Sequence, residues 1–186
     1  ALTGGGTVSV AAGQVLRAGG GDATSSFGGV IDGDGALLKL GTGTLTLSGS
    51  NLVRGGTSVS DGVLAVASGA AWLDTGAITV ASGSVLNVSA SETIGALSGS
   101  GTVNLAGGQV LSAGQGDVSS GFAGKLTGAG SLAKVGAGTL SLNGSANDYS
   151  GGTTVSAGTL STGVAHALPA GGAVTVSGGT LDLAGH

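Results

Sequence analysis

Apolar and polar residues alternate along most of this chain in runs of three to six. Nearly every run opens behind a glycine. The phrases GTVSV (6–10), GTLTL (43–47), GVLAV (62–66), GAITV (76–80), GTVNL (101–105), GTLSL (138–142), GAVTV (172–176) and GTLDL (179–183) share one form. Thr, Val, Ile and Leu at period two predict strands with one buried face. In TLTL, Leu45 and Leu47 face a core while Thr44 and Thr46 face out. Gly, Asn, Asp and Ser punctuate the runs. No segment sustains a period of 3.6, so the predicted chain is all-β with essentially no helix.

A longer repeat contains these short ones. With residues 4–50 set over residues 99–145, 27 of 47 positions are identical. RGGTSVSDGVLAV (54–66) lies over SGGTTVSAGTLST (150–162), and GAITVASGSVLNV (76–88) over GAVTVSGGTLDL (172–183). The chain reads as a single segment (1–186) of two units of about 95 residues, 4–98 and 99–186, the second cut short.

Short strands without helices leave a sandwich, a barrel or a β-solenoid. Near-copies at fixed spacing single out the solenoid, where one coil cannot bury its apolar face alone and like residues sit on like. A coil of roughly 20 residues gives about nine coils, and strands ~4.8 Å apart give a rod ~40–45 Å long. The 43 glycines serve the corners between strands, where positive φ or close backbone approach is needed. Glycine this abundant also marks disordered chains. Disorder goes with low hydrophobicity and high charge, whereas here 40% of residues are hydrophobic and 8% charged.

Five Lys and Arg residues in a chain of net charge −4 are a poor footprint for nucleic acid. No apolar run approaches the ~20 residues of a membrane-spanning helix, and the opening ALTGGGTVSV lacks the charged start and apolar core of a signal peptide. With no Cys, the fold needs no disulfide and thiol chemistry is excluded.

Two stretches carry a family resemblance. Leu37-x-Lys39-x-Gly41-x-Gly43-Thr44-Leu45-Thr46-Leu47-Ser48-Gly49 and Leu132-x-Lys134-x-Gly136-x-Gly138-Thr139-Leu140-Ser141-Leu142-Asn143-Gly144 resemble the autotransporter-associated β-strand repeat of bacterial autotransporter passenger domains. The second copy continues in the family pattern through Asn147, Tyr149, Gly151, Gly152, Thr153, Val155, Gly158, Thr159 and Leu160. The first has Asn51, then Leu52-Val53-Arg54 in place of the tyrosine, and Val63 in place of Thr. The resemblance implies a right-handed parallel β-helix. It also implies export across a Gram-negative outer membrane through a C-terminal β-barrel translocator of the same parent chain. Such passengers are surface-displayed or secreted adhesins and other virulence factors, and some carry a protease or esterase domain on the stalk.

Candidate sites are few. Asp22 and Asp117 recur beside Gln14 and Gln109 and suit turns that cap backbone amides. DGDG (32–35) is a faint calcium-loop pattern, replaced by TGAG (127–130) in the second unit. Lys39 and Lys134 recur inside strands and are expected to point outward, keeping the sheet soluble. Phe27 and Phe122 recur and are expected to pack in the core or at corners, while Trp72 and Tyr149 are not repeated and form no aromatic ladder. His166 and His186 are the only histidines, and a triad of Asp148, His166 and a serine has no supporting motif. No catalytic, cofactor-binding or metal-ligating residue is assigned.

The reading is therefore a structural stalk of a surface passenger supporting adhesion, not an enzyme. Its partners are the translocator barrel and host surface, matrix or further copies of itself. The rivals are a stalk whose catalytic domain lies elsewhere, a polysaccharide-active solenoid, and an ice-binding solenoid. The last needs long Thr-x-Thr ladders, and the pattern occurs only around Thr44/Thr46, in the single stretch 42–46.

Overall fold

The computed structural model describes residues 1–69 and 71–184, a parallel β-solenoid of short strands. Each early coil contributes three strands, one to each of three faces. In the first coil these are Thr7–Ser9, Val15–Ala18 and Ser25–Phe27. The second face is one nine-stranded sheet from Val15–Ala18 to Thr180–Asp182. At ~4.8 Å per strand this makes a rod about 38 Å long, close to the expected span. The third face is a six-stranded sheet from Ser25–Phe27 to Lys125–Gly128. The first face holds two sheets in succession, three strands ending at Asn51–Val53 and five beginning at Glu92–Ile94. An isolated bridge between Asn51 and Trp72 carries the first face through the gap.

The alternation predicted for TLTL holds. Leu45 and Leu47 are fully buried, and Thr44 and Thr46 are partly exposed. Leu37, Ile78, Leu97, Leu140 and Leu160 lie in one inward column of the second face. Phe27 and Phe122 are buried in the core, as expected. Each leucine removed from water in this way stabilises the rod by ~1.5–3 kcal/mol.

The expectation that like sits on like fails for the long repeat. Register partners in neighbouring coils lie 17 to 23 residues apart, as in Val85↔Thr102 and Thr102↔Lys125. The 95-residue unit therefore spans about four and two-thirds coils, not a whole number. Each copy is displaced by one face. Leu45 lies on the third face and Leu140 on the second. Lys39 lies on the second and Lys134 on the first. Near-identical phrases recur because each builds the same strand-and-corner unit, not because they stack.

Candidate functional site

The chemistry concentrated in this rod sits at two repeated corners. Lys39 and Lys134 do not point outward. Both are fully buried, because period two from Leu37 and from Leu132 places the lysine on the core side two residues on. Lys39 is stacked between Ala18 and Val59 in an inward column. Its Nζ donates to the carbonyl oxygens of Leu40 (2.9 Å), Gly41 (2.7 Å) and Asp61 (3.1 Å). Lys134 Nζ donates to those of Val135 (2.6 Å), Gly136 (2.7 Å) and Ala157 (3.3 Å). An ammonium has three donors, and here each donor has an acceptor. The third acceptor belongs to the next coil, so the lysine ties two coils at their corner. Burial pushes the pKa of both lysines down, opposed at Lys39 by Asp61 and Asp22 and at Lys134 by Asp117.

The coil below completes each corner. Asp22 and Asp117 have positive φ, and Oδ1 accepts from the amide of Thr42 (2.8 Å) and of Ala137 (2.7 Å). Both aspartates therefore cap amides as the sequence indicates, but in the following coil, not in their own turn. Gly19 and Gly114 lie beneath the lysine stems. A Cβ on Gly19 would fall 3.3 Å from Lys39 Cδ and 2.3 Å from the Leu40 carbonyl oxygen. Three successive coils thus close around one cation at each corner.

A second polar cluster interrupts the core of the first face and was not signalled by any repeat. Asn51, Trp72 and Glu92 are all buried. Glu92 is followed on its sheet by Leu111 and Leu132, so a carboxyl occupies the foot of an aliphatic column. Its Oε1 accepts from the Ala71 amide at 3.1 Å. Burial pushes its pKa from an ordinary 4.5 to about 7, the amides of Ala71 and Trp72 pulling it down and Asp74 pushing it up. Asn51 Oδ1 and Trp72 Nε1 have no partner among the described residues. Period two from Ile94 also puts Glu92 inside, and this was the available signal.

The remaining candidates are accounted for individually. In DGDG, Ser9 Oγ donates to Asp32 Oδ1 (2.7 Å), and Asp34 pairs with Arg54 (3.2 Å). Asp148 is exposed and paired with Lys125 at 2.7 Å, whose hydrogen bond lowers its pKa. His166 sits exposed in a turn at φ 59°. His186 lies outside the described residues. Tyr149 is buried with its hydroxyl 2.5 Å from Thr153 Oγ1, and burial raises its pKa. Among the described residues no group of three His, Cys, Asp or Glu side chains converges.

What the corners, the through-running sheet and the aliphatic interior define is a structural β-solenoid, whose repeated chemistry holds its own coils together. The Passenger-associated-transport-repeat family matches residues 37–66 and 132–161, and each match contains a buried lysine with all three of its acceptors. The Adhesin BmaC autotransporter of Brucella suis biovar 1 (strain 1330) is 36% identical over 143 residues, covering 74% of this chain and 4% of that protein. The two repeat matches and this similarity support an autotransporter passenger domain. It spans a small fraction of the curated relative it matches. No solved structure matches it.

Proposed function

We propose that this segment is a rigid spacer in a surface-displayed or secreted adhesin, holding adhesive regions of its parent chain away from the outer membrane. The observation that carries this reading is the nine-stranded sheet that runs through both repeats without interruption. The lysine-tied corners stiffen the same rod. The adhesin named above supports the adhesive context, and the two passenger-associated transport repeats support export through a C-terminal barrel of the parent chain.

The test has two arms. Saturable binding of the folded segment to host cells and matrix proteins is measured, and adhesion is scored for a parent chain in which equivalent unrelated coils replace it. A spacer predicts no saturable binding by the segment and retained adhesion after replacement. Saturable binding, with adhesion lost on replacement, would transfer the adhesive role to the segment's own surface.

A further inference from the structure

The first face loses its strand at one coil, and a titratable side chain holds that coil in place. The stretch 71–75 lies between two well-paired strands. Val63–Val66 pairs with Thr44–Leu47 below and Val85–Val88 above, and Ile78–Val80 pairs with Thr57–Val59 below and Leu97–Gly99 above. The stretch itself forms no strand. Below, it is held by the Asn51–Trp72 bridge, in which the Asn51 amide donates to the Ala71 carbonyl at 2.8 Å. Above, no backbone-to-backbone hydrogen bond among the described residues joins it to the next coil. The connection there is the Glu92 carboxyl, whose Oε1 accepts from the Ala71 amide at 3.1 Å, with the Trp72 amide beside it.

The elements stacked on Glu92 are 71–75 below and Val110–Ala113 above. Neither carries a cation. Their one titratable group is Asp74, a second carboxylate that opposes ionisation of Glu92. An ionised Glu92 regains water only if 71–75 moves away. The same movement hydrates Trp72 Nε1 and Asn51 Oδ1, both buried without partners among the described residues. Three polar groups therefore favour one movement, and burial of Ala71 and Trp72 opposes it.

We infer that Glu92 is a proton-operated latch on 71–75. With the proton on, the stretch is docked in the first face. With the proton off, it swings out while the second and third faces stay paired. The direction follows from linkage. Docking holds the Glu92 pKa at about 7, above its ordinary 4.5. Opening therefore grows about tenfold per pH unit from about pH 5 to 7 and levels off above that range.

Native-state hydrogen exchange of the folded 186-residue chain reads this opening, because Trp72 is the only tryptophan and its indole gives one resonance. At each pH the Ala71 amide and the Trp72 indole are expected to be about tenfold or more less protected than the amides of Ile78 and Leu86 on the other two faces. Their protection factors are expected to fall about tenfold per pH unit between about pH 5 and 7. Glu92→Gln, of the same size but without the charge, is expected to abolish that fall and leave the circular-dichroism spectrum unchanged. Asp74→Asn, at an exposed position that makes no part of the latch contact, is expected to bring the levelling-off to lower pH. Equal protection on all three faces would make the opening global and overturn the latch. So would protection independent of pH in the unmodified chain, the same fall in Glu92→Gln, or an unmoved levelling-off in Asp74→Asn.

Discussion

The two repeats diverge where one sequence reads SNLVR and the other ANDYS. In the first, Asn51–Val53 forms a strand paired with Val30–Gly33. Among the described residues the Asn51 side chain makes one hydrogen bond there, Nδ2 to the Gly49 carbonyl, and its Oδ1 is buried without a partner. In the second repeat no strand forms at 147–149, and the Asn147 side chain takes over the inter-coil bonding. Its Oδ1 accepts from the Leu126 amide at 2.7 Å, and its Nδ2 donates to the carbonyls of Gly144 (3.0 Å) and Ala167 (2.7 Å). Tyr149 fills the interior where the first repeat has Val53. One coil-to-coil connection can be made by backbone or by a single amide side chain, and the asparagine persists through both.

The largest effect should be blind to this difference. Leu45→Asp and Leu140→Asp each bury an unpaired carboxylate, and each is expected to cost 4 kcal/mol or more, on the order of the largest single-site losses. Equal shifts in a denaturant midpoint confirm that the two sites are one design on two faces. A much smaller loss at either site breaks the equivalence.

Next come the corner cations. Lys39→Met and Lys134→Met retain the aliphatic stem but strand three carbonyls, while relieving the desolvation of an ammonium. The net loss is about 1–3 kcal/mol each. A change near zero in thermal unfolding would show that the lysines are merely tolerated inside.

The asparagines should separate the repeats. Asn147→Ala removes three hydrogen bonds and is expected to cost about 2 kcal/mol, whereas Asn51→Ala removes one and relieves a stranded oxygen, so its loss stays below about 1 kcal/mol. The reverse order would make the side-chain bridge incidental.

The smallest effect at low pH belongs to Glu92 of the first repeat. Its folded pKa of about 7 lies above the ordinary 4.5. The native state therefore holds the proton more tightly than the unfolded chain. Stability is fullest below the unfolded value and is lost as pH rises through about 7. Glu92→Gln is expected to match the parent below about pH 4, where the side chain is uncharged in both the folded and the unfolded chain, and to exceed it above pH 7. A melting temperature with the same pH slope in both proteins would sink this assignment.

Strand positions and inward leucines such as Leu45 and Leu140 were legible because sheet alternation is short-range and unforgiving. The same alternation placed Lys39, Lys134 and Glu92 inside. Buried charge is rare, and only the folded corner shows three carbonyls converging on Nζ. The displacement of the repeats was not legible, because corner loops vary in length and their sum fixes the face only after every coil is closed. Asn147 was visible as a motif residue, but its partners Leu126 and Ala167 lie 20 or more residues away and need the stack to be known.

A repeat of four and two-thirds coils acts as a screw. Any side chain that recurs once per copy, Lys39 then Lys134, advances about 22 Å along the axis and moves one-third of the way round it, by strand spacing alone. Three such copies, roughly 67 Å of rod, return it to its starting side. An array of these units would display each surface feature in every direction, as a thread and not as a stripe. A flat bivalent partner would meet the same feature only at every third copy.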